Sequence, residues 1–141
     1  FESVDMSGAA KWMNAQAQEE LVHAEKFMNY VNERDGRVIL EAIEKPTVEW
    51  KSVLEAFQAA LEHERKVSAL INDLVALARK ENDHMTDNFL QWYVAEQVEE
   101  EVSAGEVVRK LRLIGDSGSG RFMIDNDLGQ RVFNSAPDSG E

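Results

Sequence analysis

The sequence has no cysteine, which excludes disulfides, thiolate zinc sites and cysteine nucleophiles and leaves oxygen and imidazole as the ligand chemistry. Basic residues are few: 15 lysines and arginines stand against 27 aspartates and glutamates, a formal charge of -12. That balance argues against a nucleic-acid backbone as partner and favours cations. There is no run of about 18 apolar residues, and no basic start leads into an apolar core with a cleavage-like end. The chain therefore reads as soluble and cytoplasmic, with neither nucleic acid nor membrane as partner. No internal repeat at a fixed period is found.

What is there is mostly helix-forming, in a chain of 141 residues long enough for one domain with its own core. Phe1 to Gly8 read as the tail of an earlier element followed by a turn. A first long helix is predicted over residues 9–33, starting after Ser7 and Gly8 and stopped at Asp35-Gly36. The link over 37–46 carries Val38, Ile39, Leu40 and Ile43, which place it against the protein surface. It is long enough to cross the length of a bundle, so that the helices on either side run parallel; a short strand is the alternative. Thr47, with Glu49 in the first turn, caps a second helix that runs to residue 80. Glu81 to Asp83 make an antiparallel hairpin turn, and Thr86 or Asp87 caps a third helix ending near residue 114. Gly115-Asp116-Ser117-Gly118-Ser119-Gly120 reads as a flexible break. Residues 122–130 read as a short helix with exposed apolar residues, suited to packing against a neighbour, and 131–141 as a disordered tail. Residues 1–130 are thus expected to form one helical domain.

Each long helix interrupts its apolar side near mid-length with acid. At about 100° of rotation per residue, Met13, Ala17, Ala24, Phe27 and Val31 fall within roughly 60° of Glu20, with His23 beside it. Glu20 is therefore expected in the middle of a buried stripe. Glu64 shares its side with Val53, Phe57, Ala60, Ile71, Val75 and Ala78. On the third helix Glu96, Gln97 and Glu100 interrupt a side made of Phe89, Tyr93, Ala104, Val107, Leu111 and Ile114. An ionised carboxylate among apolar side chains is costly unless compensated. Iron, manganese or zinc accepts carboxylate oxygen and imidazole nitrogen, and a bridging glutamate can hold two ions close together. A lone Glu-x-x-His is a weak signal, since core histidines are usually just hydrogen-bonded. Its coincidence with Glu64 and Glu100 strengthens the metal reading. Glu101 points away from the apolar side and reads as solvated. His63 is turned by about 100° from Glu64 and reads as partly exposed or interhelical, His84 as surface. Trp12, Trp50 and Trp92 read as core or interface aromatics, and Met13 and Met123 as packing residues rather than haem ligands.

The segments Ala17-Gln18-Glu19-Glu20-x-x-His23, His63-Glu64 and Phe89-Leu90-Gln91-Trp92-Tyr93-Val94-x-Glu96-Gln97-x-Glu99-Glu100-Glu101 resemble the second, third and fourth helices of the bacterial non-haem ferritins. The resemblance runs from Phe1 through Gln130 and takes in the crossover and the short final helix. It implies an all-α, ferritin-like four-helix bundle with a long crossover and a short C-terminal helix. The first helix of that bundle is largely absent from this sequence, with Phe1-Glu2-Ser3 resembling its end; in the family that helix brings a glutamate ligand of the first iron and a tyrosine. The resemblance further implies an iron store with ferroxidase activity, taking Fe(II) and oxygen or peroxide as substrates. Its usual form is a homo-oligomeric shell of 24 subunits in which Fe(III) is deposited as mineral, once the first helix is supplied. Residue by residue, Glu20 matches the carboxylate bridging a di-iron centre, His23 the nitrogen ligand of the first iron, and Glu64 and Glu100 ligands of the second. Gln97 matches a glutamine beside that centre. Glu19, Glu96 and Glu99, with Glu100 shared, match a third iron site, and Trp92 and Tyr93 the aromatics that flank it all. Without the first-helix glutamate the first iron site is expected to weaken and oxidation to slow.

Two readings from other classes stay open at this point. One is a non-catalytic assembly protein that docks a partner helix in the trough the missing helix leaves. The other is a di-metal carboxylate oxidase without storage; against it stands the single Glu-x-x-His, where such enzymes commonly carry two.

Overall fold

Four α-helices make up nearly all the regular structure of residues 1–133, the residues that the computed structural model describes. They are α1 (Ser7–Glu33), α2 (Val53–Lys80), α3 (His84–Ile114) and α4 (Gly118–Leu128), with a single 3₁₀ turn at Glu2–Val4 and no strand among the described residues. The all-α expectation holds, and the strand alternative for the link does not. Among the described residues no helix is long and apolar enough to cross a membrane. The chain packs as two units, one of Phe1–Thr47 with the segment from Ser117 onward, the other of Val48–Asp116.

In the first unit, α1 begins without help from its own N-cap, because Met6 has no side chain that can accept a hydrogen bond there. The acceptor comes from α4. Asp125 takes the Gly8 and Ala9 N–H groups on its two carboxylate oxygens at 3.1 and 2.9 Å, which satisfies two orphan donors and sets a negative charge at the positive end of the α1 dipole. The approach is close enough to demand glycine: a Cβ on Gly8 would lie 1.8 Å from the Asp125 carbonyl oxygen. Lys11 Nζ donates to the Gly129 carbonyl at 2.7 Å, and Ile124 and Leu128 of α4 are buried. Phe122 and Met123 are exposed, so the packing role expected of Met123 is not seen here, while the exposed apolar residues expected of this helix are. The helix starts at Gly118, inside the expected flexible break, because Ser117 Oγ accepts the Gly120 N–H at 3.2 Å and acts as N-cap.

The buried side of α1 also departs from expectation. Ala9, Trp12, Ala15, Gln16 and His23 are buried, whereas Ala17 and Ala24 are exposed and Glu20 is intermediate. At about 100° per residue this face is turned roughly 60–80° from Glu20 toward His23. Apolar residues lie on several sides of α1, and tertiary packing chose the side carrying Trp12. The helix closes with Asp35 in the left-handed region (φ 56), its N–H donating to the Asn32 carbonyl and that of Gly36 to the Val31 carbonyl. This is the reciprocal C-terminal pair usually built on glycine, here built on aspartate.

The link is longer than expected and runs to the N-cap Ser52. Most of its apolar residues do not lie down within the chain: Val38 is half-buried, but Ile43 is 96% exposed, and Ile39, Leu40 and Trp50 are exposed too. Trp50 is therefore not a core residue of this chain. An apolar pattern brings burial only where a matching surface is available.

The second unit is the antiparallel hairpin of α2 and α3. Ser52 Oγ accepts the Glu55 N–H at 3.0 Å, so the helix starts at the Ser-x-x-Glu signature rather than at Thr47. Asp83, not Thr86 or Asp87, caps α3, with its carboxylate accepting from the Thr86 N–H at 3.0 Å and the Thr86 hydroxyl at 2.6 Å. Asp87 instead pairs with Arg79 across the turn at 2.9 Å. The hydrogen bond and charge hold the Asp87 carboxyl below its ordinary range and the Arg79 guanidinium above its own. The interior is filled by Phe57, Ile71, Val75 and Ala78 from α2 and by Leu90, Tyr93, Ala104, Val107 and Leu111 from α3, the sides marked out by the sequence. Of the expected tail over 131–141, residues 131–133 have no regular structure, and the rest lies outside the described residues.

Gly8→Ala should cost more than about 2 kcal/mol in urea unfolding, because the obstacle is backbone that cannot yield. Asp125→Ala should cost about 1–2 kcal/mol, as for a lost helix cap. Gly118→Ala, where an added Cβ meets nothing within 4 Å, should change stability by less than about 1 kcal/mol. Equal effects at Gly8 and Gly118 would contradict the α1–α4 contact.

Candidate metal centre

The acids of α1 are arranged by helical spacing alone. Glu20 and His23, three residues apart, project to one side, and Glu20 Oε2 lies 3.4 Å from His23 Nδ1. That is long for a hydrogen bond but close to the separation of about 3.3 Å expected of two ligands each roughly 2.0–2.2 Å from one ion. The Gln16 amide, one turn earlier, donates to Glu20 Oε1 at 3.1 Å. His23 is buried at 9% exposure, whereas the Glu20 side chain is 42% exposed. Glu20 is thus at the rim of the buried face rather than its middle, with the imidazole as the deeper group. Glu19, beside them, has its carboxylate taken by Arg131.

The acids of the α2–α3 hairpin are deeper. Glu64 and Glu100 are each 5% exposed, and Gln97, at 6%, lies between the helices. The Gln97 amide donates to the Glu64 carbonyl at 3.1 Å and approaches Glu64 Oε2 at 3.4 Å and Ser68 Oγ at 3.4 Å. The Ser68 hydroxyl in turn donates to Glu101 Oε1 at 2.6 Å, and Arg65 pairs loosely with the same carboxylate at 3.9 Å. Glu101 is therefore half-buried and bonded rather than simply solvated. Glu96 is half-buried and Glu99 exposed, with Glu96 one turn before both Glu99 and Glu100 on α3. Tyr93 is buried, with Trp92 edge-on at 4.8 Å and Phe89 at 5.5 Å, and burial pushes its phenol far above the usual value. His63 and His84 are exposed.

Among the expected residues the structure pairs Glu20 with His23 and Gln97 with Glu64, and buries Glu100 on the same hairpin as the latter. Glu19 it pairs with Arg131. Three residues were missed by sequence reasoning. Gln16 was detectable as an i, i+4 partner of Glu20. Ser68 had a weaker signal, one turn beyond Glu64. Arg131 had none, being 112 positions from its partner.

An all-helical chain with glutamate and histidine set into its interior and no cysteine offers the donor types used by carboxylate-ligated helical metal proteins. The donors are hard or borderline, which suits iron. The profile of the ferritin family, described as a ferritin-like domain, matches residues 1–114. A probable bacterial non-heme ferritin-like protein of Haemophilus influenzae is 42% identical over 122 residues, covering 86% of this chain and 74% of its own length. A bacterial non-heme ferritin of Bacteroides fragilis is 43% identical over 131 residues, 93% of this chain and 81% of its own. Among solved structures, an open pore ferritin of the hyperthermophilic archaeon Archaeoglobus fulgidus superposes with a TM-score of 0.92 at 50% identity, covering 94% of this chain and 81% of that one. The chain belongs to the ferritin family.

Glu100→Gln should raise the thermal midpoint of chelator-treated protein by a few °C, about 1 kcal/mol at this size, because a buried carboxyl that is costly to ionise where water is excluded is replaced by a neutral amide. Zn(II) should then stabilise the unsubstituted protein more than the variant, by about 2.7 kcal/mol at a hundredfold excess over its Kd. Equal Zn(II) stabilisation of both would remove Glu100 from the ligand set.

Proposed function

We propose that the chain is an iron-storing ferritin subunit that oxidises Fe(II) with oxygen or peroxide and holds the Fe(III) as mineral in a cytoplasmic homo-oligomeric shell, of 24 subunits in the family's usual form. The supporting observation is the burial of Glu64 and Glu100, each at 5% exposure, in a chain of this family. Interior carboxylates of that kind are maintained where cations neutralise them.

The roles follow the family pattern. By that pattern Glu20 and His23 would hold the first iron, and Glu20, Glu64 and Glu100 the second. Gln97 anchors the Glu64 segment through its carbonyl, which holds that side chain in place. Glu19, Glu96 and Glu99, with Glu100 shared, are the residues that the same pattern would give to a third iron. Two Fe(II) substrates each give one electron, and with two protons they take one oxygen molecule to hydrogen peroxide. Carboxylates suit this step because negative oxygen ligands favour Fe(III) over Fe(II) as the charge rises. Buried Tyr93 keeps its phenolic proton and stays neutral throughout the physiological pH range.

Aerobic addition of Fe(II) should give oxidation faster than in buffer, with iron retained in a fraction of several hundred kilodaltons. Glu64→Ala and His23→Ala should each slow it at least as much as the about 10–100-fold typical when a group supporting a metal ligand is lost. Oxidation no faster than buffer with no retained iron would reject the proposal. Oxidation without retention would favour the oxidase reading, and a small dimer with neither would favour the assembly protein.

A further inference from the structure

Ser68, one turn after Glu64 on α2, departs from the usual habit of a helical serine. A hydroxyl inside a helix ordinarily donates back to the carbonyl four residues earlier, which for Ser68 is that of Glu64. Here it donates across the hairpin to Glu101 Oε1 at 2.6 Å, the length of a bond to a carboxylate. With its single proton spent, Ser68 Oγ can only accept. What it meets is the Gln97 amide. That nitrogen carries two hydrogens and faces three acceptors: the Glu64 carbonyl at 3.1 Å, Glu64 Oε2 at 3.4 Å and Ser68 Oγ at 3.4 Å. The reverse orientation would set the amide oxygen against the same three acceptors. The carbonyl has the shortest contact and takes the first hydrogen. The second is divided between a carboxylate oxygen and the serine, at equal and long distances.

We propose that Ser68 is a positioning residue for the cation site, the acceptor that takes over the second Gln97 hydrogen when the Glu64 carboxylate turns to a metal ion. The inference rests on the proposed function, which makes Glu64 a ligand. Gln97 is 6% exposed, so water does not stand ready to replace a lost partner. A divalent ion at Glu64 Oε2 draws electron density from that oxygen and weakens it as an acceptor. Without Ser68, metal binding would leave a buried N–H unsatisfied, which is the expensive state of a hydrogen-bonding group. With Ser68 the hydrogen changes acceptor while the bond from Gln97 to the Glu64 carbonyl persists, so the backbone beneath the ligand stays where it is. Glu101 assists, because a hydroxyl that donates to a carboxylate is itself a stronger acceptor. The Glu101 side chain is 37% exposed with Arg65 Nε 3.9 Å away, which places this anchor at the edge of the hairpin.

The test is the Zn(II) affinity of the intact metal-free protein, measured by competition with a chromophoric chelator; Zn(II) takes carboxylate ligands and undergoes no oxidation. The relevant site is the one lost in Glu64→Ala. At that site Ser68→Ala should weaken Zn(II) about tenfold, and Ser68→Thr, which keeps the hydroxyl, should restore the affinity to within about twofold. The added methyl has room, since Ser68, Asn72, Val98 and Glu101 line an open notch of about 180 Å³ between the two helices. In a Gln97→Leu background, where no amide hydrogen is left to place, Ser68→Ala should change the affinity by less than about twofold. Crystal structures of the unsubstituted protein with and without Zn(II) give a check that needs no variant: the separation of Gln97 Nε2 from Ser68 Oγ should shorten to about 3.0 Å in the loaded form. The inference is overturned if Ser68→Ala leaves Zn(II) affinity unchanged, if its effect survives loss of Gln97, if threonine does not restore binding, or if the amide does not move toward Ser68. A Glu64→Ala variant that loses no Zn(II) overturns the ligand assignment of the proposed function instead. Circular dichroism and elution volume identify variants that have lost the fold.

Discussion

Glu64 and Glu100 are carboxyl groups set into the otherwise apolar side of the α2–α3 hairpin, and this constraint governs the rest of the structure. Phe57, Ile71 and Val75 on one helix and Tyr93, Ala104 and Val107 on the other supply a dry interior. Replacing either glutamate with a hydrocarbon of the same volume would be neutral or stabilising for the fold alone. The hairpin nevertheless supports the acids: Gln97 reaches across to the Glu64 backbone, Ser68 links it to Glu101, and Tyr93 closes the side with a ring whose proton stays on. Such a surround is built to hold a polar group still, which is what a ligand needs.

The first unit solves a different problem. α1 has no side-chain cap of its own and a dispersed apolar pattern, and its start is set by contact with a segment more than a hundred positions away. Asp125 caps it, Gly8 permits the approach, Lys11 ties down Gly129, and Arg131 stacks on Trp12. The consequence reaches the chemistry, because the same bracket that orients α1 takes hold of Glu19 while Glu20 and His23 keep the spacing of co-ligands.

These two cases explain which residues were legible beforehand. On α2 and α3 the apolar residues recur on one side with the acids among them, so periodicity alone placed Glu64, Gln97 and Glu100 in the interior. Glu20 was placed one face too deep, because α1 offers several competing sides and Trp12 carries more buried area than any alanine on the stripe chosen for it. The caps were missed for a local reason: Thr47, Thr86 and Asp87 have the right chemistry, but Ser52 Oγ accepts the Glu55 N–H while the Glu55 carboxylate accepts the Lys51 N–H, and the Asp83 carboxylate accepts both the N–H and the hydroxyl of Thr86. The flexible break was over-read, since glycine at 118 and 120 is tolerated once Ser117 supplies a cap.

The sequence by itself determined the all-helical class, the absence of thiol chemistry, the acid set in three helices and, through its segment patterns, the likeness to ferritins. These depend on composition and on spacing within a helix, which the chain carries wherever it folds. Only the tertiary structure decided which face of α1 is buried, that Gln16 bonds Glu20, and that Arg131 stands on Trp12 with its hand on Glu19. Contacts between distant segments are selected by whichever pairing buries the most area and leaves the fewest polar groups unmet, and no periodicity along the chain encodes that choice.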